Sequence, residues 1–410
     1  LNLEYFIAKR LSSGASYKSS ASATIIKIAI VAIALGMIMM LVSIATGLGL
    51  QQKIREKVSA FGGDILISNF DGNNSAETIN PISINQAFYP NFTSVPEVSH
   101  VQAVAIRSGI IRTETDFEGV MVKGLTDDYD WSRIQDYLLE GRFPNFKEGL
   151  NSEMLMSKYL ASRLGFAVGD KVIVYFVRQE EGKPVPLRLD IVGIYESAYQ
   201  EFDKVYVMTD IRHIRRVNRW EKDEVGAFEV FVDDFDNVQE INNRVYENSG
   251  SFLRSMTIGE RNFFIFEWIK LFDFNILLII AVMILIAGIN IIVALLVLIL
   301  ERTRMIGILK ALGGSDWMVR KIFIYNAMYL IGLGLFWGNL IGIGCIAAQH
   351  YFGIVTLNPS TYYVAEAPVY FNWGYILTLN FGVFVLCALM LLVPSYIITK
   401  ISPVKSIRFE

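Results

Sequence analysis

Enzymatic chemistry needs reactive side chains at fixed spacings, and this sequence offers few of them. A nucleotide is cradled by Gly-x-x-x-x-Gly-Lys-Ser/Thr, whose backbone N–H groups face the phosphates. The nearest stretch, Gly14-Ala-Ser-Tyr-Lys18-Ser19, has the wrong spacing. Neither His-Glu-x-x-His nor the nucleophile elbow Gly-x-Ser-x-Gly occurs. His100, His213 and His350 are too far apart to suggest metal-ligand spacing. Cys345 and Cys387 fall in apolar runs and read as small packing residues, not as a disulfide framework. The acidic pairs Asp127-Asp128 and Asp233-Asp234 read as a solvated face. The expectation is a chain that is no enzyme by itself and holds neither metal nor cofactor. A net charge of −3 argues against a nucleic-acid partner, which a basic surface would serve.

One stretch does carry a pattern: Glu301-Arg302-Thr303-Arg304-Met305-Ile306-Gly307-Ile308-Leu309-Lys310-Ala311-Leu312-Gly313-Gly314-Ser315-Asp316-Trp317. Met305, Ile308, Leu309 and Leu312 can share one helical face. Gly313-Gly314 ends that helix, and Ser315 can cap the next. Two readings stay open: an ordinary amphipathic connector, or a docking knob for a cytoplasmic motor.

Membrane-spanning helices must position this stretch. Apolar residues are 53 % of the 410, but they concentrate in four uncharged runs: Ile28–Leu50, Phe274–Leu300, Ile322–Gln349 and Trp373–Thr399. A bilayer needs about 20 apolar residues per helix. The first run is too long for the apolar core of a signal peptide, and no small-residue cleavage site is obvious after it. The fold class expected is membrane α-helical, with four transmembrane helices and a large mixed α+β domain inserted between the first and second. The expected boundaries are 1–27, 28–50, 51–273, 274–300, 301–321, 322–349, 350–372, 373–399 and 400–410.

Lys and Arg in short segments set orientation. Lys9, Arg10, Lys18 and Lys27 precede the first run. Arg302, Arg304, Lys310, Arg320 and Lys321 follow the second. Lys400, Lys405 and Arg408 end the chain. Residues 350–372 carry only Glu366 as a charge. Both termini and the 301–321 loop are therefore expected in the cytoplasm, and 51–273 and 350–372 in the periplasm, around a bacterial inner membrane. The runs hold no ionisable residue, which disfavours a proton-driven transporter. Asn275, Asn290, Asn326 and Asn339 read as helix–helix hydrogen-bonding groups, and Gly332, Gly334, Gly338, Gly342 and Gly344 as points of close backbone approach.

In the inserted domain, Asp64–Phe70, Val101–Arg112, Val172–Val177, Arg188–Tyr195 and Val205–Met208 read as strands; Glu153–Leu164, Asp210–Val217 and Asn237–Glu247 read as helices. Pro184 and Pro186 speak against a regular ladder in Arg178–Arg188, leaving a polar hairpin loop or a protruding contact loop. A continuous helix is expected from about Gly259 into the second run, and Leu50–Val58 can prolong the first run.

The stretch Glu301–Gly313 resembles the loop Glu-Arg-x-x-Glu-Ile-Gly-x-Leu-Lys-Ala-Leu-Gly of the FtsX-like/MacB-like permease family of ABC transporters, with Met305 in place of the second Glu. The ending Pro394…Pro403-Val-Lys-Ser406-Ile-Arg408-Phe-Glu410 resembles that family's Pro-x-x-Ala-Leu-Arg-x-Glu. Within it the chain is similar to lipoprotein-releasing permeases of the LolC/LolE type. The carriers of that similarity are Leu3–Arg10, Gly141-Arg142-Phe143, Met156-Ser157, Leu164-Gly165…Gly169-Asp170 and Glu201–Val207.

The resemblance implies a permease paired with a second permease subunit, identical or homologous, above a dimer of cytoplasmic ATPases that hold ATP and Mg²⁺. The chain itself would carry no cofactor. Its coupling residues would be Glu301, Arg302, Arg304, Ile306, Gly307, Leu309, Lys310, Ala311, Leu312 and Gly313. Met37, Met40, Leu41, Ile44 and Asn290 would line a cavity for lipoprotein acyl chains among membrane lipids. Lys183, Pro184 and Pro186 would touch a periplasmic lipoprotein carrier. Lifting acyl chains from a bilayer costs about 0.8 kcal/mol per CH₂, which calls for a driven machine. The alternatives are a MacB-type secretion permease and an FtsX-type subunit that activates a cell-wall hydrolase.

Overall fold

A computed structural model describes residues 3–13, 21–70, 77–147, 149–177 and 184–400. They form two compact units. One holds the described residues of Leu1–Gln51, Ile269–Thr356 and Glu366–Glu410; the other holds those of Gln52–Trp268 together with Leu357–Ala365.

The first unit is helical. Among the described residues, four helices are long and apolar enough to cross a membrane. They are Ala21–Gly62, Phe263–Glu301, Asp316–Phe352 and, last, Trp373–Met390, which one-turn segments prolong to Lys400. Three of these helices outrun their apolar stretches, because backbone hydrogen bonding continues through polar flanks. The fourth falls short of the uncharged run Trp373–Thr399. Pro394 lacks an N–H, and its ring crowds the carbonyl of Met390, so the regular helix stops at Met390. The second helix also departs from expectation. A separate turn, Ile258–Arg261, begins with a Thr257/Glu260 capping box and ends at Asn262, and the long helix starts only at Phe263.

Glycine decides how the first and third spans meet. A Cβ on Gly334, Gly338 or Gly342 would lie 2.7, 2.6 or 2.9 Å from Ile33, Met37 or Leu41 respectively. Both sets recur every four residues, so one face of each helix meets the other at backbone distance. Among the described residues, Gly332 and Gly344 have no such neighbour. Asn339 and Asn380 exchange side-chain hydrogen bonds of 2.6 and 2.9 Å between the third and fourth spans. Asn290 instead donates to Ile286 O on its own helix.

The second unit is built on one ten-stranded sheet. Leu253–Thr257, Ile65–Asn69 and Ala227–Val232 form an antiparallel arm that leads to the long strand Val98–Arg112. From there the pairing runs through Phe117–Leu125, Tyr206–Asp210, Glu153–Ser157, Pro184–Tyr195 and Lys171–Val177, and back to Val98–Arg112. Those strands close a ring, which removes free edges there. Leu138–Gly141 adds to Pro184–Tyr195. The core alternates as a half-buried strand should: Val172, Val174 and Phe176 are fully buried, while Ile173 and Tyr175 are partly exposed.

Two readings of this unit need correction. Glu153–Ser157 is a strand, and helix begins only at Lys158. Met154, Leu155 and Met156 are all fully buried, so this central strand shows no alternation by which to recognise it. Ser157 then caps the helix by accepting from Leu160 N at 3.2 Å. Pro184 and Pro186 do lie in a regular ladder, opposite Val177 and Tyr175. Two residues apart, their N-atoms lie on the same side of the strand. Pairing with Glu153–Ser157 starts only at Asp190, so the missing N–H groups interrupt no ladder.

Leu357–Ala365, from the loop between the last two spans, packs within this second unit. Lys57 donates to Tyr363 O at 2.6 Å, and the Tyr363 ring meets Tyr199 and Trp268.

Candidate functional site

The connector between the second and third spans forms a nine-residue helix, Thr303–Ala311. Gly313, at φ +92°, reverses the chain after it. Ser315 then starts the third span's helix, its hydroxyl accepting from Met318 N at 3.2 Å. The predicted apolar face is divided in two. Ile306 and Gly307 are buried, and Met305 and Leu309 pack against the core of the helical unit. Ile308 and Leu312 point outward, 53 % and 80 % exposed. They are four residues apart and share one face with Arg304, so the outward surface is a greasy edge beside a guanidinium.

Lys310 fixes the position of that edge. Its ammonium donates to Ile398 O at 2.8 Å and pairs with Asp316 at 2.8 Å. Its side chain is only 9 % exposed. Lys310, Ile306, Gly307 and Leu309 thus position the connector, while Glu301, Arg304, Ala311, Leu312 and Gly313 lie on its surface and Arg302 sits half-buried at its start. Ile308 and Trp317, each 53 % exposed, belong to the same outward surface and were not among the expected coupling residues. Trp317 stacks beneath the Arg320 and Lys321 cations, at 5.4 and 5.7 Å. The signal was present in the sequence, since Trp317 is three residues before Arg320 and four before Lys321, one helical turn away.

The residues expected to line an acyl cavity between paired subunits differ in exposure within this chain. Met37, Met40 and Leu41 are buried, because the third span's glycines bring that helix onto them. Ile44 and Asn290 are partly exposed. The uncovered face of the first span is Ile28, Val31, Leu35 and Met39 instead. Of the expected carrier contacts, Pro184 and Pro186 lie in the hairpin, and Lys183 is outside the described residues, as are 401–410 with Pro403, Ser406 and Arg408. Among the described residues, no three His, Cys, Asp or Glu side chains converge as a metal site.

A four-span helical unit, an α+β unit inserted after the first span and an exposed helix between the second and third define a polytopic membrane protein. Residues 28–247 match the MacB-like periplasmic core domain, and residues 277–403 match the FtsX-like permease C-terminal domain. The chain belongs to the MacB/FtsX-like family of ABC transporter permeases, inner-membrane proteins whose ATP hydrolysis lies in a separate subunit. It is 24 % identical over 337 residues to the lipoprotein-releasing system transmembrane protein LolC of Neisseria meningitidis serogroup B, covering 77 % of this chain and 78 % of the relative. LolC of Xylella fastidiosa strain 9a5c is 26 % identical over 310 residues, covering 71 % and 73 %. The periplasmic region of MacB from Actinobacillus actinomycetemcomitans, a solved structure, is 12 % identical and has a TM-score of 0.32, covering 47 % of this chain and 88 % of that one.

Proposed function

We propose that this chain is the permease subunit of an ATP-driven machine that extracts lipoproteins from the inner membrane and hands them to a periplasmic carrier. The similarity to LolC proteins over about 70 % of the chain carries this reading. Both termini and the Thr303–Ala311 helix face the cytoplasm, and the sheet unit faces the periplasm. Two permease subunits pair above two ATPases. The outward edge of Ile308 and Leu312 seats in an apolar groove of the ATPase, and Lys310 makes the connector move with the turn at Ile398. Acyl chains occupy the space between paired permeases, against the uncovered faces of the first two spans.

The test is ATP-dependent transfer of a triacylated lipoprotein from proteoliposomes holding this permease with its ATPase to a soluble carrier. Failure of transfer, with an outer-membrane channel found in the native complex, would favour a MacB-type secretion role. That second reading is favoured by the MacB-like match over residues 28–247. Recovery of a murein hydrolase instead would point to an FtsX-type signalling role.

A further inference from the structure

Within the sheet unit, the C-terminal end of the first span's helix is held with unusual care. A helix leaves its last carbonyls unpaired and carries partial negative charge there. Lys123 donates to Phe61 O at 2.7 Å, and Arg261 donates to Gly62 O at 2.8 Å. Lys123 is 1 % exposed and pairs at 2.6 Å with Glu229, also 1 % exposed, which in turn accepts from Gln102 at 2.9 Å. The Phe61 ring is enclosed by Tyr137, Tyr195 and Phe202, at centroid distances of 5.4, 5.8 and 4.7 Å. Gly63, at φ +71°, lets the chain leave the helix against Glu229, where a Cβ would lie 2.9 Å from that side chain.

The placement of the cations matters more than their number. Lys123 belongs to the closed ring of strands and Glu229 to the antiparallel arm, so one ammonium joins both parts of the sheet to the helix end. Arg261 lies in the turn just before the second span's helix. The outer ends of two span helices therefore meet at one clamped point. Stability alone does not call for this chemistry, because a buried ion pair is often replaceable by apolar side chains without loss. A cation reaching the terminal carbonyls does what an apolar filler does not: it resists axial slip and rotation of the helix end.

We propose that Lys123 and Arg261 are positioning residues that clamp the end of the first span's helix, making it the joint where ATP-driven movement enters the sheet unit. The proposal rests on the reading of this chain as a driven permease. Its test compares Arg261→Gln, Arg261→Lys and the double variant Lys123→Met/Glu229→Leu in the full ATPase-bound complex. The expected result is unchanged thermal midpoint and basal ATP turnover, with lipoprotein released per ATP falling about fivefold in Arg261→Gln and the double variant, and largely restored in Arg261→Lys.

A second readout is the electron-spin distance between labels at Gln52→Cys and Glu247→Cys, with Cys345 and Cys387 replaced by Ser. The distribution stays single through the ATP cycle in the parent and broadens in the two damaging variants. Wild-type release per ATP and an unbroadened distribution in folded variants would overturn the clamp. If the double variant does not fold, the Arg261 pair decides alone. If the parent releases no lipoprotein, the functional reading fails, and the spin distances still decide the clamp.

Discussion

His213 illustrates what single residues contribute to the behaviour of the sheet unit. It is 3 % exposed, and its Nε2 lies 2.8 Å from Asn151 O, so the neutral ring donates there. Burial pushes its pKa below the usual value; the Asn151 carbonyl and Asp210 oppose this, while Arg216 and Arg212 reinforce it. An unfolded chain binds the proton near pH 6.5, before the folded one does, so stability falls as pH drops from about 6.5 through the lowered folded value. Asp64 and Asp203 act in the opposite sense, since burial raises both, and the folded state takes up their protons first on acidification. The contrast between parent and His213→Gln isolates the histidine. The variant should lose less stability than the parent between pH 7.5 and 5.0, read as thermal midpoints of the full chain in detergent. Gly63→Ala should cost roughly 2 kcal/mol or more by the same measurement, from its left-handed backbone and the approach of Glu229. Gly63 looked ordinary in the sequence. The left-handed turn at the helix end is a local need for glycine, but the approach of Glu229, from a strand more than a hundred residues later, is announced by no local pattern.

Elements were legible in proportion to how local their causes are. The spans could be read because a bilayer demands uninterrupted apolar length. The connector reads as a helix closed by Gly313, but its apolar residues do not share one face. In the folded chain the core claims Met305 and Leu309, while Ile308 and Leu312 remain outside. This division predicts opposite outcomes for neighbouring substitutions. Leu312→Asp should leave the thermal midpoint intact yet weaken ATPase binding by about 2 kcal/mol, roughly thirtyfold, in a titration of detergent-solubilised permease. Ile306→Asp, fully buried, should prevent folding. Equal binding by the Leu312→Asp permease and its parent would remove the connector from the docking surface. The strand Glu153–Ser157 escaped recognition for a different reason. Burial on both faces erases the two-residue period, and only its neighbours in the sheet reveal it.

The whole molecule divides along composition, which is why its architecture was readable before its details. Four uncharged runs and one long mixed segment predicted a helical unit and an inserted α+β unit. Chain order did not show that Leu357–Ala365 belongs with the latter. Sidedness is testable directly. With the native cysteines replaced by Ser, Lys158→Cys should react with a membrane-impermeant maleimide in intact spheroplasts, and Ser315→Cys only after the membrane is opened. The reverse pattern would overturn the proposed orientation. The fit between the first and third spans sets a further expectation. Gly338→Leu should separate the helices and lower the thermal midpoint, whereas Gly344→Leu, with open space around it, should not.

The Leu357–Ala365 contact also has a consequence for biogenesis. Every strand of the sheet is synthesised before residue 260, yet Lys57 and Tyr199 receive their last partner, Tyr363, only from a segment made after the third span. In the proposed orientation, the third span must be made and the loop beyond it must cross the bilayer before the sheet unit acquires its final piece. Completion of the folded module is thereby tied to correct threading of the polypeptide, and a chain stalled or inverted at the third crossing leaves that module permanently short of its closing contact.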